Sequence, residues 1–170
     1  MRPFAIRRTA ARLLLLDPAG RLLLLQASDP ADPAKGTWWD TPGGGVGRGE
    51  STADACAREL REETGIGGVR VGPVVWEDDA RFTFGGWRFE QHQHYHVGWL
   101  DDPDAERGPT SLEALEQDAF LGTRWWPADE LAAANAAGEV VLPFQLPMLL
   151  PALVAGVLPD PPLVLDDTVF

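Results

Sequence analysis

The hydrophobic and polar positions of this chain change period several times, and each change marks an element. Residues 9–16 and 21–26 are aliphatic-rich runs on either side of Asp17-Pro18-Ala19-Gly20, a turn sequence with proline at its second position, and they predict a β-hairpin. Residues 27–36 are polar, contain prolines and read as loop; Thr37, Trp38 and Trp39 then lead through Asp40-Thr41-Pro42 into Gly43-Gly44-Gly45. Over residues 52–64 the period becomes helical: Ala53, Cys56, Ala57, Leu60 and Thr64 keep the i, i+3, i+4, i+7 spacing of a buried stripe. Ser51 and Asp54 form a capping pattern at its start, and Gly65 sits where a left-handed residue ends a helix. Residues 69–76 predict a strand, and 81–84 with 87–100 predict a second hairpin about Gly85-Gly86. Residues 101–110 read as loop, 111–120 as helical or irregular and 124–126 as a short strand, after which Pro127 opens a helix to about Ala136. Residues 140–158 imitate a membrane span, but Pro143, Pro147, Pro151 and Gln145 interrupt them and no basic residues flank them. A strand end followed by a buried helix is expected there, and no membrane partner. Strands interrupted by a few helices, without repeat or linker, place the fold in the α/β class.

The helix over residues 52–64 also carries the candidate chemistry. Glu59, Glu62 and Glu63 stand at i, i+3 and i+4, so their carboxylates fall within one arc of the helix surface. Like charges at this spacing oppose the helix by roughly 0.2–0.5 kcal/mol a pair. Hard divalent cations, which take oxygen ligands, would remove that cost, and magnesium is the natural occupant. Taken alone, an R-E-L-R-E-E string is most simply a solvated, ion-paired face; what precedes it changes the reading. Gly44, Glu50, Arg58, Glu59, Leu60, Glu62, Glu63, Gly65 and Ile66 fill every fixed position of G-x5-E-x7-R-E-U-x-E-E-x-G-U, where U is a bulky aliphatic residue. At ordinary residue frequencies a chance match has a probability on the order of 10⁻⁷ or lower.

Residues 44–66 therefore resemble the Nudix box without departure, and the resemblance implies the Nudix fold, a mixed β-sheet sandwiched between α-helices. It further implies Mg²⁺-dependent hydrolysis of the diphosphate linkage in a nucleoside diphosphate derivative or nucleoside triphosphate, by water attack at phosphorus, with Mn²⁺ as a substitute ion. Carried over by position, Glu59, Glu62 and Glu63 are metal ligands, Glu59 or Glu62 is the general base, and Gly43 offers its carbonyl to the metal. Arg58 can pair with Glu62 one turn on and takes an orienting role; Glu50 could orient Arg58 or reach metal. Gly44 and Gly45 let the main chain approach the ligand. Family members often add a later carboxylate; of Glu113, Glu116 and Asp118, Glu116 is the choice. Trp38, Trp39 and Phe82 are candidates to stack a base, with Trp38 and Phe82 chosen, although aromatics near strand ends more often serve the core. Markers associated with ADP-ribose, dinucleoside polyphosphate and coenzyme A hydrolysis are absent, Arg81 and Phe82-Thr83-Phe84 standing where the first two would fall.

Composition narrows the reading further. The chain has 170 residues, 45% of them hydrophobic, which suits one domain over residues 1–158, with a proline- and aspartate-rich C-terminal tail over 159–170. A net charge of −12 argues against a groove for a nucleic-acid polymer and leaves a small phosphorylated nucleoside as the expected partner. One cysteine excludes an intrachain disulfide framework, and no cleavage site follows the basic N-terminus, so a cytoplasmic location is expected. If the tail is ordered, Leu163, Val164 and Leu165 could cross to a partner subunit in a homodimer. His92, His94 and His96 alternate along one strand and share a side. They suggest zinc, cleft lining, or plain structure, and His94 is taken as lining the substrate cleft. Against hydrolysis stands a non-catalytic nucleotide-sensing module of the same fold, which would be expected to have lost box carboxylates.

Overall fold

The structure, a computed structural model, describes residues 4–102 and 114–170. Its spine is β1 (Ile6–Leu16), which turns through Asp17 and Gly20 into β2 (Leu22–Ser28). The turn is held by Asp17 Oδ1, which accepts from the amides of Ala19 at 3.0 Å and Arg21 at 2.8 Å, and by Gly20 at φ 76°. After β3 (Thr37–Asp40) the glycines form β4 (Gly43–Gly45), which runs antiparallel to the middle of β1. The helix α1 (Thr52–Thr64) follows, then β5 (Arg70–Phe84) and β6 (Trp87–Trp99). β6 lies parallel to β1 from Ile6↔Phe89 to Leu16↔Trp99 and antiparallel to β5. The short α2 (Ala114–Ala119) leads into β7 (Phe120–Trp126), which pairs with β2. The chain closes with α3 (Ala128–Ala136), β8 (Val140–Val141), α4 (Leu146–Val154), β9 (Leu163–Val164) and β10 (Thr168–Val169).

Two apolar layers cover the two faces of this mixed sheet. On one face Ala11, Leu13, Leu15 and Leu23 meet Ala55, Cys56 and Leu60 of α1. On the other Leu14, Leu16, Leu22 and Leu24 meet Leu131 of α3 and Leu146, Leu150 and Leu153 of α4. Strands buried on both faces read as unbroken aliphatic runs, which is why 13–16 and 22–25 show no alternation. Each fully buried leucine contributes about 1.5–3 kcal/mol through area removed from water. The arrangement is the helix–sheet–helix sandwich of the Nudix fold.

Three differences from the sequence reading have physical causes. The buried side of α1 is Ala55, Cys56, Leu60, Glu63 and Thr64, so the stripe is rotated away from Ala53 and Ala57 and takes in a carboxylate. The predicted strand 69–76 and first hairpin arm 81–84 are one strand, β5; the polar stretch between them is held because buried Asp78 accepts hydrogen bonds from β6, at 2.8 Å from Gln93 Nε2. The segment 140–158 does not differ: it is a strand end, β8, followed by the partly buried α4 of 9 residues with Pro151 inside it, as the pattern predicts, and no helix among the described residues is long and apolar enough to cross a membrane. Finally, residues 163–170 fold onto their own chain. β9 and β10 lie parallel to β5 (Trp76↔Leu163, Thr168↔Ala80), so the run Leu163-Val164-Leu165 pairs within its own sheet rather than crossing to a partner.

Candidate active site

The join between β4 and α1 is built around Arg58. Ser51 Oγ accepts from Asp54 N at 3.0 Å and Gly65 at φ 78° closes the other end, so α1 has the bounds its caps dictate. From the middle of this helix the Arg58 guanidinium donates to Glu50 Oε1 at 2.8 Å and Oε2 at 3.0 Å, to the Gly45 carbonyl at 3.0 Å, to Glu59 Oε1 at 2.9 Å and to Glu62 Oε2 at 3.3 Å. The fork matches the Glu50 carboxylate with two parallel bonds, which a lysine cannot do. Glu50 also accepts from Gly47 N at 2.7 Å. Held by Arg58 and then by that amide, the Glu50 carboxyl is drawn down to about 2. Arg58 therefore ties the glycine turn to the helix, and Glu50 orients it.

The opposite tendency rules at the other end of the glutamate arc. Glu63 is buried and accepts from Gly43 N at 3.2 Å. Burial first, then the charges of Glu59 and Glu116, push its carboxyl well above the usual range, against the pull of Arg12 and the Gly43 amide. Glu59 is raised as well, by burial first and by Glu62 and Glu116, although Arg58 pulls it down. Two raised carboxylates, with Glu62 and Glu116 close enough to act on them, are a donor set a divalent cation fits, since its charge offsets the repulsion and their oxygens are hard ligands. The backbone is shaped around them: a Cβ on Gly44 would lie 2.5 Å from Glu59 Oε1, and one on Gly43, at φ 147°, would run into the Ala11 carbonyl oxygen. Gly45 sits instead against the Arg8 side chain, with its carbonyl taken by Arg58. Glu62 is half-buried at the rim of the arc.

Glu63, Gly43 and Glu116 open onto a cavity of about 180 Å³. Trp38 and Phe82 line it, whereas Trp39, one residue on and therefore on the other side of β3, is buried in the core with its Nε1 donating to Glu139 Oε2 at 3.0 Å. Asp118 is exposed on α2, and Glu113 lies outside the described residues. The placement of His94 is corrected: it is not among the cavity-lining residues, because β6 alternates and turns Gln93 and Tyr95 to the cavity. His94 Nδ1 lies 3.1 Å from Glu77 Oε1, His92 Nδ1 lies 2.8 Å from Asp79 Oδ1, and His96 Nε2 lies 2.8 Å from Thr52 Oγ1. Glu77, His92 and His94 can each bring a ligand atom within 4.8 Å of the others, so the histidine strand gains from β5 a carboxylate that its own spacing does not supply.

Several cavity residues escape a reading of the sequence. Arg12 is half-buried in the floor, donating from Nε to Gln93 Oε1 at 2.9 Å and from Nη1 to the Thr41 carbonyl at 3.2 Å, with Asp40 Oδ2 3.5 Å away. Arg8, four residues earlier on the same face, donates to Gln91 Oε1 at 3.0 Å and also lines the cavity. One signal was available: an arginine inside a strand of buried aliphatics is rarely accidental, because a charge is buried only with partners. Thr168 and Phe170 also line the cavity, and nothing in the pattern of β1–β6 announces them.

A mixed sheet between helices, with clustered carboxylates beside a cavity partly walled by aromatic rings, is the arrangement of a Nudix-fold protein. The comparisons make the assignment particular: a family model described as NUDIX domain matches residues 6–143, and the chain belongs to that family. A protein named RNA pyrophosphohydrolase from Sphingopyxis alaskensis is 39% identical over 148 residues, covering 81% of this chain and 85% of its own. One of the same name from Caulobacter vibrioides is 28% identical, covering 78% and 76%. Among solved structures, a C. elegans Ap4A hydrolase binary complex superposes with a TM-score of 0.57 at 22% identity over 87% of this chain and 99% of that one, a likeness of fold. Nudix hydrolases generally use divalent metals, in keeping with the donor set.

Proposed function

We propose that this chain, a Nudix-type pyrophosphohydrolase, uses Mg²⁺, with Mn²⁺ as a substitute, to hydrolyse the phosphoanhydride of a small nucleoside triphosphate or nucleoside diphosphate derivative. The observation that carries the reading is the convergence of Glu59, Glu63 and Glu116 beside Gly43, at the mouth of a cavity with aromatic walls. Glu59, Glu62, Glu63 and Glu116, with the Gly43 carbonyl, would hold the ion. When bound, it neutralises phosphate charge and makes water easier to deprotonate. Glu59 or Glu62 then takes the proton of the attacking water, the water oxygen bonds to phosphorus, and the bridging P–O bond breaks to release a phosphate-bearing product. Arg58 and Glu50 hold the carboxylate arc and the glycine turn in register. Arg12 presents a fixed positive charge from the cavity floor, while Trp38 and Phe82 supply apolar faces to a base.

The relatives named RNA pyrophosphohydrolase raise an RNA 5′ end as a second substrate. The net charge of −12 favours the small molecule, since gripping a polymer relies on clustered cations that release counterions. The test is a panel of nucleoside triphosphates, nucleoside diphosphate derivatives and 5′-triphosphorylated oligonucleotides, assayed with and without Mg²⁺ on the wild type, Glu62→Gln and Glu63→Gln. Turnover of a mononucleotide that needs both metal and glutamate supports the proposal. Faster turnover of the oligonucleotide would move the substrate to RNA, and no metal- and glutamate-dependent turnover at all would leave a sensing module.

A further inference from the structure

Residues 163–170 lie beyond the 6–143 that match the family, yet they form part of the cavity wall. The segment is docked at every level. Its backbone extends the sheet, with Leu165 N donating to the Glu77 carbonyl at 2.8 Å, Phe170 N to the Arg81 carbonyl at 3.0 Å, and Thr83 N to the Phe170 carbonyl at 3.3 Å. Thr168 is buried, and its hydroxyl donates to Asp78 Oδ2 at 2.7 Å, the same carboxylate that Gln93 and Tyr95 approach from the cavity floor. The Phe170 ring then meets Trp38 edge to face, with centroids 4.9 Å apart and planes at 69°, and Lys35 Nζ lies 5.2 Å from its centroid. On the adjoining strand, Phe82 lies between Arg81 and Thr83, the two residues Phe170 bonds, and is stacked on Phe89 at 5.1 Å with 12° between the rings, so its orientation is fixed as well. A ring pinned by a strand, a hydroxyl latch and an aromatic partner is preorganised, and a planar ligand meets it without an ordering cost.

We infer that β10 is a wall of the substrate site and that Phe170 is a specificity-determining residue, presenting an aromatic surface to the nucleobase. The inference rests on the nucleotide reading above and adds to it the element that selects the base. The larger π-face of a purine gains more from an added aromatic wall than a pyrimidine does, so Phe170 favours purines. Because the segment lies outside the family match, base preference in this chain is set by residues that the box does not contain.

The experiment compares the wild type, Phe170→Ala and Phe170→Tyr in kcat/KM for ATP, GTP, CTP and UTP with Mg²⁺. Equilibrium binding of non-hydrolysable purine and pyrimidine triphosphates is measured separately by titration calorimetry, and melting temperatures are recorded for every variant. The expected result is a loss for Phe170→Ala of about tenfold on purines, carried by KM and by the binding constant, with a smaller loss on pyrimidines and recovery in Phe170→Tyr. Thr168→Val, which removes the latch to Asp78, should shift base preference in the same direction. An equal loss on all four nucleotides, a loss carried by kcat alone, or no change would overturn the inference. A wild type that binds nucleotides without turning them over fails the hydrolase reading alone, because calorimetry still reads the effect of Phe170→Ala; a wild type that neither binds nor hydrolyses them overturns both.

Discussion

Glu50 and Glu63 belong to the same motif and lie at the two ends of one carboxylate cluster, yet their environments drive them in opposite directions. Glu50 meets both branches of the Arg58 fork and a backbone amide, and its carboxyl falls to about 2. Glu63 is buried with one amide donor at 3.2 Å and two neighbouring carboxylates, and its carboxyl rises well above the usual range. The first is a saturated anion that fastens the turn to α1. The second is an under-compensated one, ready for a cation. A motif match treats the two glutamates alike; their partners separate a fastening from a ligand, and the separation can be broken by substitution.

The largest effect is expected for Glu63→Gln, which keeps the shape and removes the charge. Steady-state kinetics at saturating Mg²⁺ should show kcat lower by on the order of 10³-fold, with metal affinity reduced as well. A loss of less than about tenfold would mean that Glu63 only packs α1 against Gly43. A smaller effect is expected for Arg58→Lys. Lysine loses the double bond to Glu50 and the bond to the Gly45 carbonyl, so the carboxylates and the turn lose register, and activity should fall roughly 10–100-fold, as when a partner that orients metal ligands is removed. If Arg58→Lys matches the loss of Glu63→Gln, the division between fastening and ligand is wrong.

The two carboxyls also give opposite pH signatures in metal-free protein. Glu50 is depressed on folding, so its contribution is present above the unfolded value near 4.5 and is lost as pH falls toward about 2. Glu63 and Glu59 are raised, so their contribution is full below that value and is lost as pH rises through their folded values. Melting temperature against pH should therefore lose its acid limb in part in Glu50→Gln, and rise at neutral pH in Glu63→Gln. Mg²⁺ or Mn²⁺, binding the ionised form, should raise the melting temperature of the wild type more at pH 8 than at pH 5. A metal-induced rise that is independent of pH would show that the raised carboxyls are not the ligands.

How much of this was legible follows the same division. The bounds of α1, the hairpin about Gly85-Gly86 and the placement of Arg58 beside Glu62 come from rules that act within a few residues, such as caps, turns and i, i+4 neighbours. Glu116 on the cavity was reached through the family resemblance, since nothing local distinguishes it from a solvated glutamate. What stayed hidden depends on pairing across the chain. Asp78 interrupts the hydrophobic pattern of β5, and only Gln93, Tyr95 and Thr168 make its burial affordable. The direction in which His94 points depends on the register of β6 against β1, and β10 joins β5 from 88 positions away at Thr168↔Ala80. Local chemistry thus identifies the candidate carboxylates, while the walls of the cavity are a product of topology.

The smallest effect expected tests whether the Arg58 fastening and the helix cap act separately. Ser51 lies outside the carboxylate arc, and its hydroxyl accepts from Asp54 N at 3.0 Å at the start of α1. Ser51→Ala should lower stability by about 1 kcal/mol in chemical denaturation, through fraying of the first turn, where Thr52 Oγ1 also meets His96 Nε2 at 2.8 Å. Turnover should persist, because Arg58 anchors the helix two turns further on and Glu59–Glu63 lie beyond that anchor. In the double variant Ser51→Ala with Arg58→Lys the two losses of stability should add within about 0.5 kcal/mol if cap and fastening are independent. A larger coupling would mean that the Arg58–Glu50 pair also holds the start of the helix, and then the glycine turn, the cap and the metal ligands form one cooperative unit rather than a scaffold with a site built on it.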